Sequence, residues 1–186
     1  MLCLVSALLK SHSTQICDEE TFSFFTGESG FLIFANRQDI RRLLFDSSDY
    51  TEMVPEQRGA IALDYDFESG YIFWTDVIDE NIRRTKMHDS SVVEDLVEIN
   101  LHTPDGIAVD WINKKLYWTD TGLDMIEVSD FDGKNRLQLV TTNLEEPRAI
   151  VVHPSLGYVK VNNLLWFFYG FLFVGILSYF MCGLSL

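Results

Sequence analysis

A short motif recurs along the chain and limits the folds that it can adopt. It is complete in PDGIAVDWINKKLYWTD, residues 104–120, and in GAIALDYDFESGYIFWTD, residues 59–76. Each copy holds two apolar runs bounded by Gly, Asp and polar residues, a pattern typical of two neighbouring antiparallel strands. A third copy begins at PRAIVVHP, residues 147–154, but never reaches a closing Trp-Thr-Asp. The chain therefore carries two complete units and the start of a third.

The spacing of these units predicts β-propeller blades. Asp64 to Asp110 spans 46 residues and Asp110 to His153 spans 43. Periods in this range, with four strands in each unit, are typical of propeller blades. A β-sandwich would also show alternating strands, but it does not require consecutive units to repeat one motif in register. The Gly-His pair of the common Trp-Asp propellers is absent from the sequence.

We therefore predict an all-β fold, with a partial propeller over residues 30–158. Upstream strands are expected at residues 31–35, 39–43 and 50–54. The first full unit, residues 59–103, should have strands at 60–65, 71–74, 81–87 and 92–99. The second, residues 104–146, should have strands at 107–111, 115–118, 125–130 and 137–141.

The two ends of the chain differ from this region in composition. Residues 2–9 form an apolar run with the length of a secretory signal, although no positive residue precedes it. Residues 1–29 are interpreted as this candidate signal segment and a linker. Residues 159–186 form a hydrophobic tail, of which 164–186 carries no charged residue. Because about 20 apolar residues span a bilayer as a helix, we expect a helical, membrane-embedding tail. The loss of the motif after Tyr158 suggests a coding junction there.

Charge and motif content exclude several functions. The formal net charge is -14, and all 28 Asp and Glu precede Arg148, which argues against a nucleic-acid partner. The sequence has neither a Gly-x-Ser-x-Gly elbow nor a Walker loop. Its four histidines lack metal-ligand spacing, and its three cysteines form no Cys-x-x-Cys pair. We expect no catalytic residue, no metal and no cofactor.

A large aromatic pair lies near the end of each complete unit. Adjacent residues of a strand face opposite sides of a sheet, so each pair should fill the gaps on both sides of its blade. The aspartate that ends the strand can accept hydrogen bonds from loop or neighbouring-blade amides. The predicted structural residues are Phe73, Trp74, Thr75, Asp76, Tyr117, Trp118, Thr119 and Asp120.

These motifs resemble the YWTD β-propellers of the low-density lipoprotein receptor family. The resemblance covers about residues 30–158 and is strongest to the Wnt co-receptors of that family. It implies a six-bladed propeller, of which this chain supplies about two full blades plus partial ones. It also implies a non-catalytic, extracellular or lumenal module that binds secreted ligands, either Wnt or Wnt antagonists. Endocytic uptake of lipoproteins is one alternative, and a truncated splice product without independent function is another.

The resemblance further implies a ligand-binding patch at one end of the propeller, which in the Wnt co-receptors takes short Asn-x-Ile motifs. The residues that match this patch by position are Arg37, Val77, Glu80 and Arg148. The sequence departs from the family pattern at Arg58 and Gly59, which replace an acidic pair. Gly122 replaces a further acidic residue.

Overall fold

The structure is a computed structural model that describes residues 31–163, apart from 46 and 48. The predictions for residues 1–29 and for the tail at 164–186 lie outside the described residues. Within the described part the chain forms strands and no helix. The strands are β1 (Phe31–Ala35), β2 (Ile40–Leu44), β3 (Tyr50–Val54), β4 (Ala60–Asp66), β5 (Tyr71–Asp76), β6 (Asn81–Lys86), β7 (Asp89–Val97), β8 (Pro104–Asp110), β9 (Lys115–Asp120), β10 (Met125–Asp130), β11 (Leu137–Val140), β12 (Pro147–His153) and β13 (Tyr158–Asn163).

The strands form four antiparallel sheets, which we call blades 1 to 4. Blade 1 consists of β1–β3, blade 2 of β4–β7, blade 3 of β8–β11 and blade 4 of β12–β13. In each sheet the strands lie side by side in chain order, as they do in propeller blades. The all-β prediction is confirmed, with two complete four-stranded blades between two partial ones.

Most strands lie within two residues of their predicted bounds, and three depart further. β8 begins at Pro104, three residues before its predicted start at residue 107. β7 begins at Asp89, earlier than predicted, because its first residues are polar and exposed and so lack the apolar alternation that marks a half-buried strand. β13 runs to Asn163, five residues past the predicted end of the propeller region at Tyr158. Pro147 lies opposite Asn163 just as Pro104 lies opposite Asp120. The third unit thus keeps its register although its Trp-Thr-Asp residues are missing.

The register also corrects the repeat length. Asp66 lies opposite Tyr71 and Asp110 lies opposite Lys115, so Asp66, and not Asp64, is the equivalent of Asp110. The repeat is therefore 44 residues, the same as the separation of Asp76 and Asp120. The carboxylate of Asp64 instead accepts the Val109 backbone N–H at 2.7 Å and links blade 2 to blade 3.

Apolar side chains fill each gap between neighbouring blades. Ile33, Ile40, Leu63, Ile72 and Trp74 pack between blades 1 and 2. Phe73, Ile107, Val109, Leu116 and Trp118 pack between blades 2 and 3. Ala108, Ile126, Ile150 and Val152 pack between blades 3 and 4, with Tyr117 against them. The two aromatic residues of each pair therefore face opposite gaps, as strand geometry requires.

Blades 3 and 4 come into close backbone contact at Gly106. A Cβ on Gly106 would lie 2.1 Å from the Arg148 carbonyl oxygen and 3.1 Å from the Ile150 nitrogen. The same carbonyl accepts a hydrogen bond of 2.6 Å from the Thr119 hydroxyl. Only glycine lets the two backbones approach this closely.

We predict that Gly106→Ala destabilises the fold by about 1–3 kcal/mol, because the added methyl group must push blade 4 away from blade 3. Urea unfolding followed by circular dichroism measures the change. Gly122→Ala is the matched control and should cost less, since the nearest atoms to its Cβ belong to the exposed His102 side chain, at 2.7–3.0 Å, and to no backbone. Equal stabilities of the two variants would contradict the prediction.

Candidate functional site

The candidate ligand-binding residues lie at one end of the blades, which we call the upper edge. It comprises the β1–β2, β5–β6 and β9–β10 turns (36–39, 77–80 and 121–124) and the connections that enter blades 2, 3 and 4 (55–59, 98–103 and 141–146). These segments share an end because successive strands of each sheet run antiparallel. Arg37, Val77 and Glu80 lie in its turns, and Arg148 lies in the first residues of β12.

Two buried carboxylates fix the loops of this edge. The Asp76 carboxylate accepts backbone N–H groups of Arg58, Gly59, Ile78 and Asp79 at 2.8–3.1 Å. The Asp120 carboxylate accepts the same set one unit later, from His102, Thr103, Gly122 and Leu123, at 2.8–3.1 Å. Both aspartates are fully buried. Each therefore ties the connection that enters its blade to the turn that follows its own strand.

The threonine beside each aspartate joins one blade to the next. The Thr75 hydroxyl donates to the Asp105 carbonyl oxygen at 3.1 Å, and the Thr119 hydroxyl donates to the Arg148 carbonyl oxygen at 2.6 Å. The Thr119 hydroxyl also accepts the Gly106 N–H at 2.9 Å. The Thr-Asp pair thus sets the relative height of neighbouring blades at the upper edge.

Three of the four candidate residues form a row along the neighbouring turns of blades 1 and 2, with Glu80 at the end that faces blade 3. Arg37 and Ala60 exchange backbone hydrogen bonds of 3.0 and 3.1 Å, and Val77 donates its N–H to the Gly59 carbonyl at 3.0 Å. Arg37 and Glu80 are exposed and have positive φ angles of 57° and 51°. The Glu80 carboxylate lies 3.8 Å from Nδ1 of His102 on the connection that enters blade 3. The row therefore presents one cation, one apolar residue and one anion.

Arg148 belongs to a second group on this edge. Its guanidinium donates to the Asp105 carboxylate at 2.9 Å and to Glu146 at 3.4 Å, and the side chain is 42% exposed. Asp105 also accepts a 3.4 Å hydrogen bond from Thr121. These contacts place Arg148 at the junction of blades 3 and 4, away from the row formed by Arg37, Val77 and Glu80.

The positions that depart from the family pattern also lie on the upper edge. Arg58 forms a 2.9 Å ion pair with Asp79, and its side chain is 68% exposed. A Cβ on Gly59 would lie 2.8 Å from Ile78 Cγ1 and 2.9 Å from the Ile78 nitrogen. An acidic side chain at position 59 would therefore require a backbone shift. At Gly122 only the His102 side chain would have to move.

Sequence reasoning missed one buried ion pair. Arg136 forms two hydrogen bonds with the Glu127 carboxylate, at 2.6 and 3.0 Å, and donates to the carbonyls of Ile99 and Asn100. Glu127 is buried and also accepts the Trp118 indole N–H at 3.1 Å. The position of Glu127 opposite Trp118 follows from strand register, but the contact with the distant connection into blade 3 does not. This pair supports the blade and leaves no free group for a ligand.

The rest of the described surface offers little else. The residues that the structure describes, 31–163 without 46 and 48, include no group of three or more His, Cys, Asp or Glu side chains arranged to hold a metal ion. An open cleft of about 610 Å³ separates β3 from the start of β7, and no candidate residue lines it. Among the described residues, no helix has the length and apolar character needed to cross a membrane.

Comparison with known proteins identifies the repeat. The model of the low-density lipoprotein receptor repeat class B matches residues 70–111 and 114–154. The chain is 47% identical over 136 residues to low-density lipoprotein receptor-related protein 5 of Mus musculus, covering 70% of this chain. It is 38% identical over 116 residues to low-density lipoprotein receptor-related protein 8 of Homo sapiens, covering 61% of this chain. The chain spans only 8% and 12% of the lengths of these relatives.

A solved structure extends the comparison to the fold. One chain of the nidogen/laminin complex superimposes with a TM-score of 0.66 and 30% identity, over 70% of this chain and 52% of that chain. The class B repeats and this superposition confirm the predicted partial propeller of YWTD type.

We predict that Asp120→Ala destabilises the fold by about 3 kcal/mol or more, because it leaves four backbone N–H groups without their acceptor. The stability of Asp120→Asn should lie between that of Asp120→Ala and that of the wild type, because the amide oxygen still accepts some of these hydrogen bonds. The free energy of unfolding in urea measures both changes. Glu145→Ala, in an exposed part of the same edge, is the control and should change little. A loss no larger than that of the control would contradict the prediction.

We predict a pH dependence of stability from Asp39. The hydrogen bond from Arg41, at 2.8 Å, and the charge of Arg41 hold the pKa of the Asp39 carboxyl below its ordinary value, although burial opposes them. The ionised carboxylate therefore contributes stability that is complete above its unfolded pKa of about 3.9 and is lost as the pH falls through the folded pKa.

Asp39→Asn should accordingly flatten the acid side of the stability profile. The free energy of unfolding, measured in urea at several pH values below about 5, gives the slope for each variant. Asp49→Asn, at an exposed position in the turn after β2, is the matched control. If Asp39→Asn and the wild type lose stability in parallel on acidification, the assignment to Asp39 is wrong.

Proposed function

The chain belongs to the low-density lipoprotein receptor class B repeat family, and we propose that its upper edge binds a secreted protein ligand of the Wnt co-receptor type. The family is a non-enzymatic receptor type, so the module binds and does not catalyse. Because the chain covers a small part of its relatives, the identity of the ligand is part of the proposal.

The observation that carries the proposal is the shared location of the four candidate residues. Arg37, Val77, Glu80 and Arg148 all lie on the upper edge. The Asp76 carboxylate holds the turn of Val77 and Glu80, the Thr119 hydroxyl holds the Arg148 carbonyl, and backbone hydrogen bonds to Ala60 hold Arg37. Preorganised loops bind with a smaller entropy cost than mobile ones. The identity with receptor-related protein 5 supports a ligand of the Wnt co-receptor type.

The chemistry of the row suits a short extended peptide with an Asn-x-Ile motif. Arg37 and Glu80 can hydrogen-bond the peptide amides and the Asn side chain, and half-buried Val77 offers an apolar contact for Ile. The strongly acidic chain favours the approach of a basic Wnt antagonist or Wnt loop. Arg58, where the family has an acidic residue, reduces the negative charge at one end of the row.

The proposal includes a location. We place the propeller region in the extracellular or lumenal space, since its relatives are receptor-related proteins. The candidate membrane anchor is residues 164–186, which contain no charged residue. The support for this anchor is composition alone.

Lipoprotein binding is the second candidate function. Its support is that both relatives, receptor-related proteins 5 and 8, are low-density lipoprotein receptor-related proteins by name. The same loops would then meet a particle surface in place of a peptide. Direct binding of lipoprotein particles, compared with binding of a secreted Wnt antagonist, distinguishes the two candidates.

The test is binding of a secreted Wnt antagonist to the full 186-residue chain, measured by surface plasmon resonance. We expect Arg37→Glu and Glu80→Lys each to weaken binding about tenfold or more, because each reverses a charge that faces the ligand. Lys134→Glu is the matched control: it reverses a charge at the opposite end of the blades, where Lys134 is 78% exposed. Its affinity should stay at the wild-type level.

Three results would overturn the proposal. In the first, the antagonist does not bind the folded chain. In the second, Lys134→Glu weakens binding as much as Arg37→Glu, which would indicate general electrostatic attraction. In the third, lipoprotein particles bind and the antagonist does not, which favours the second candidate function.

A further inference from the structure

Among the described residues, blade 1 has no strand on one edge of β1. β1 is equivalent to β5 and β9, the second strands of their blades. In blade 1, Phe34 and Ile33 lie opposite Arg41 and Arg42. In blade 2, Trp74 and Phe73 lie opposite Arg83 and Arg84 in the same way. β5 and β9 each pair with a strand on both sides. In the part of the chain that the structure describes, β1 pairs with β2 alone. Its second edge presents backbone N–H and C=O groups without a partner strand.

The face of blade 1 that points away from blade 2 is apolar, and no other described blade packs on it. Phe34 and Leu32 occupy the positions of Trp74 and Ile72 in blade 2, both of which are 0% exposed. Phe34 and Leu32 remain only partly buried. Phe34 stacks on Tyr50, which is 50% exposed. The residues of this face are thus equivalent to residues that a neighbouring blade covers in blade 2.

Blade 4 has the complementary set of strands. β12 is equivalent to the first strand β8, with Ile150 and Val152 in the places of Ile107 and Val109. Its partner β13 lacks the Thr-Asp pair that joins neighbouring blades and fixes the upper-edge loops in blades 2 and 3. Blade 4 thus has a first strand, β12, that packs against blade 3, and its partner β13 carries none of the motif residues.

We propose that two copies of this chain close into one ring, in which β12 of each copy pairs with β1 of the other and displaces β13. Blade 1 of each copy then gains its missing first strand. The described strands of each copy contribute two complete blades, three strands of one composite blade and, as β12, the fourth strand of the other, so two copies make six blades. Closed propellers have about 4–8 blades. One copy would supply three blades and three copies would supply nine, so two copies are the number that fits.

The superposition on the nidogen propeller supports this count. The matched residues cover 52% of that chain, so this chain follows about half of the solved chain that contains the propeller. Two such arcs with the same curvature complete one ring. A closed ring leaves no uncovered end face, which repeat architectures otherwise need capping units to protect.

The exchange of strands replaces one pairing by another. β13 loses its pairing with β12 and the packing of Val161, and the burial gained on blade 1 has to exceed that loss. β12 gives up its backbone hydrogen bonds to β13 and regains them with β1 of the other copy. The apolar face that holds Leu32 and Phe34 becomes covered, which removes apolar area from water. By equivalence with Ile107 opposite Trp118 and Val109 opposite Leu116, Ile150 should lie opposite Phe34, and Val152 opposite Leu32.

Cysteine cross-linking of the full 186-residue chain tests this pairing. Cys3, Cys17 and Cys182 are first replaced by Ser, and Phe34→Cys and Ile150→Cys are then introduced into two separate chains. We expect mild oxidation of the mixed chains, in detergent that solubilises the tail, to give a covalent dimer several-fold more abundant than in either chain alone. Sedimentation velocity of the cysteine-free chain should show a dimer that dissociates on dilution.

An intrachain link provides the matched control. Ile150→Cys together with Val161→Cys in one chain joins β12 to β13, where these residues lie opposite each other, and should shift the sedimenting species to monomer. Leu32→Cys mixed with Val152→Cys repeats the test if the first pair fails to fold. A monomer at all concentrations would overturn the proposal, as would open-ended polymers. So would a dimer that neither cysteine pair cross-links, since the tail would then cause the association.

Discussion

The structure depends on one constraint: a blade of this kind has two apolar faces, and only neighbouring blades remove both from water. The aromatic pairs show how the sequence meets this constraint. Phe73 and Trp74 are adjacent in one strand, yet they belong to different inter-blade cores, and both are 0% exposed. On the outer face of blade 1, where the described part of the chain supplies no neighbouring blade, the equivalent residue Phe34 is only partly buried. Burial in this fold is therefore a property of pairs of blades.

Apolar packing alone would allow neighbouring blades to slide, and the Thr-Asp residues remove this freedom. Each threonine hydroxyl bonds a backbone carbonyl of the next blade, and each aspartate accepts four backbone N–H groups. Hydrogen bonds to a buried carboxylate are strong and directional. The loops that carry the candidate ligand-binding residues are thus attached to the same groups that align the blades. The rigidity of the upper edge is a consequence of the way the blades are joined.

Much of the fold could be predicted from the sequence because the governing interactions are local and periodic. Alternating apolar residues predicted β4, β5, β9 and β10 closely, and the two copies of the motif predicted two full blades. Prediction failed where the pattern was ambiguous or the contact was distant in sequence. Asp64 and Asp66 flank one aromatic residue, and strand register was needed to decide which of them continues the repeat.

The candidate site was predictable to a smaller extent. The resemblance selected Arg37, Val77, Glu80 and Arg148, and the structure places them all at one end of the blades. The resemblance could not reveal that Arg148 pairs with Asp105 at the junction of blades 3 and 4. Nor could it show that a Cβ at Gly59 would meet the Ile78 backbone. Both facts depend on the height and spacing of neighbouring blades, which one strand's sequence does not encode.

The separation of Arg148 from the other three residues connects the proposed site with the proposed ring. In one copy, Arg37 is on blade 1 and Arg148 is on blade 4, and blades 2 and 3 lie between them. In a two-copy ring, β12 of one copy would lie beside β1 of the other, with Pro147 opposite Asn36 by equivalence with Pro104 opposite Asp120. Arg148 would then lie beside the turn that carries Arg37 of the other copy. Closure would thus join the two groups of the upper edge into one continuous surface, and the composite blade would position both arginines.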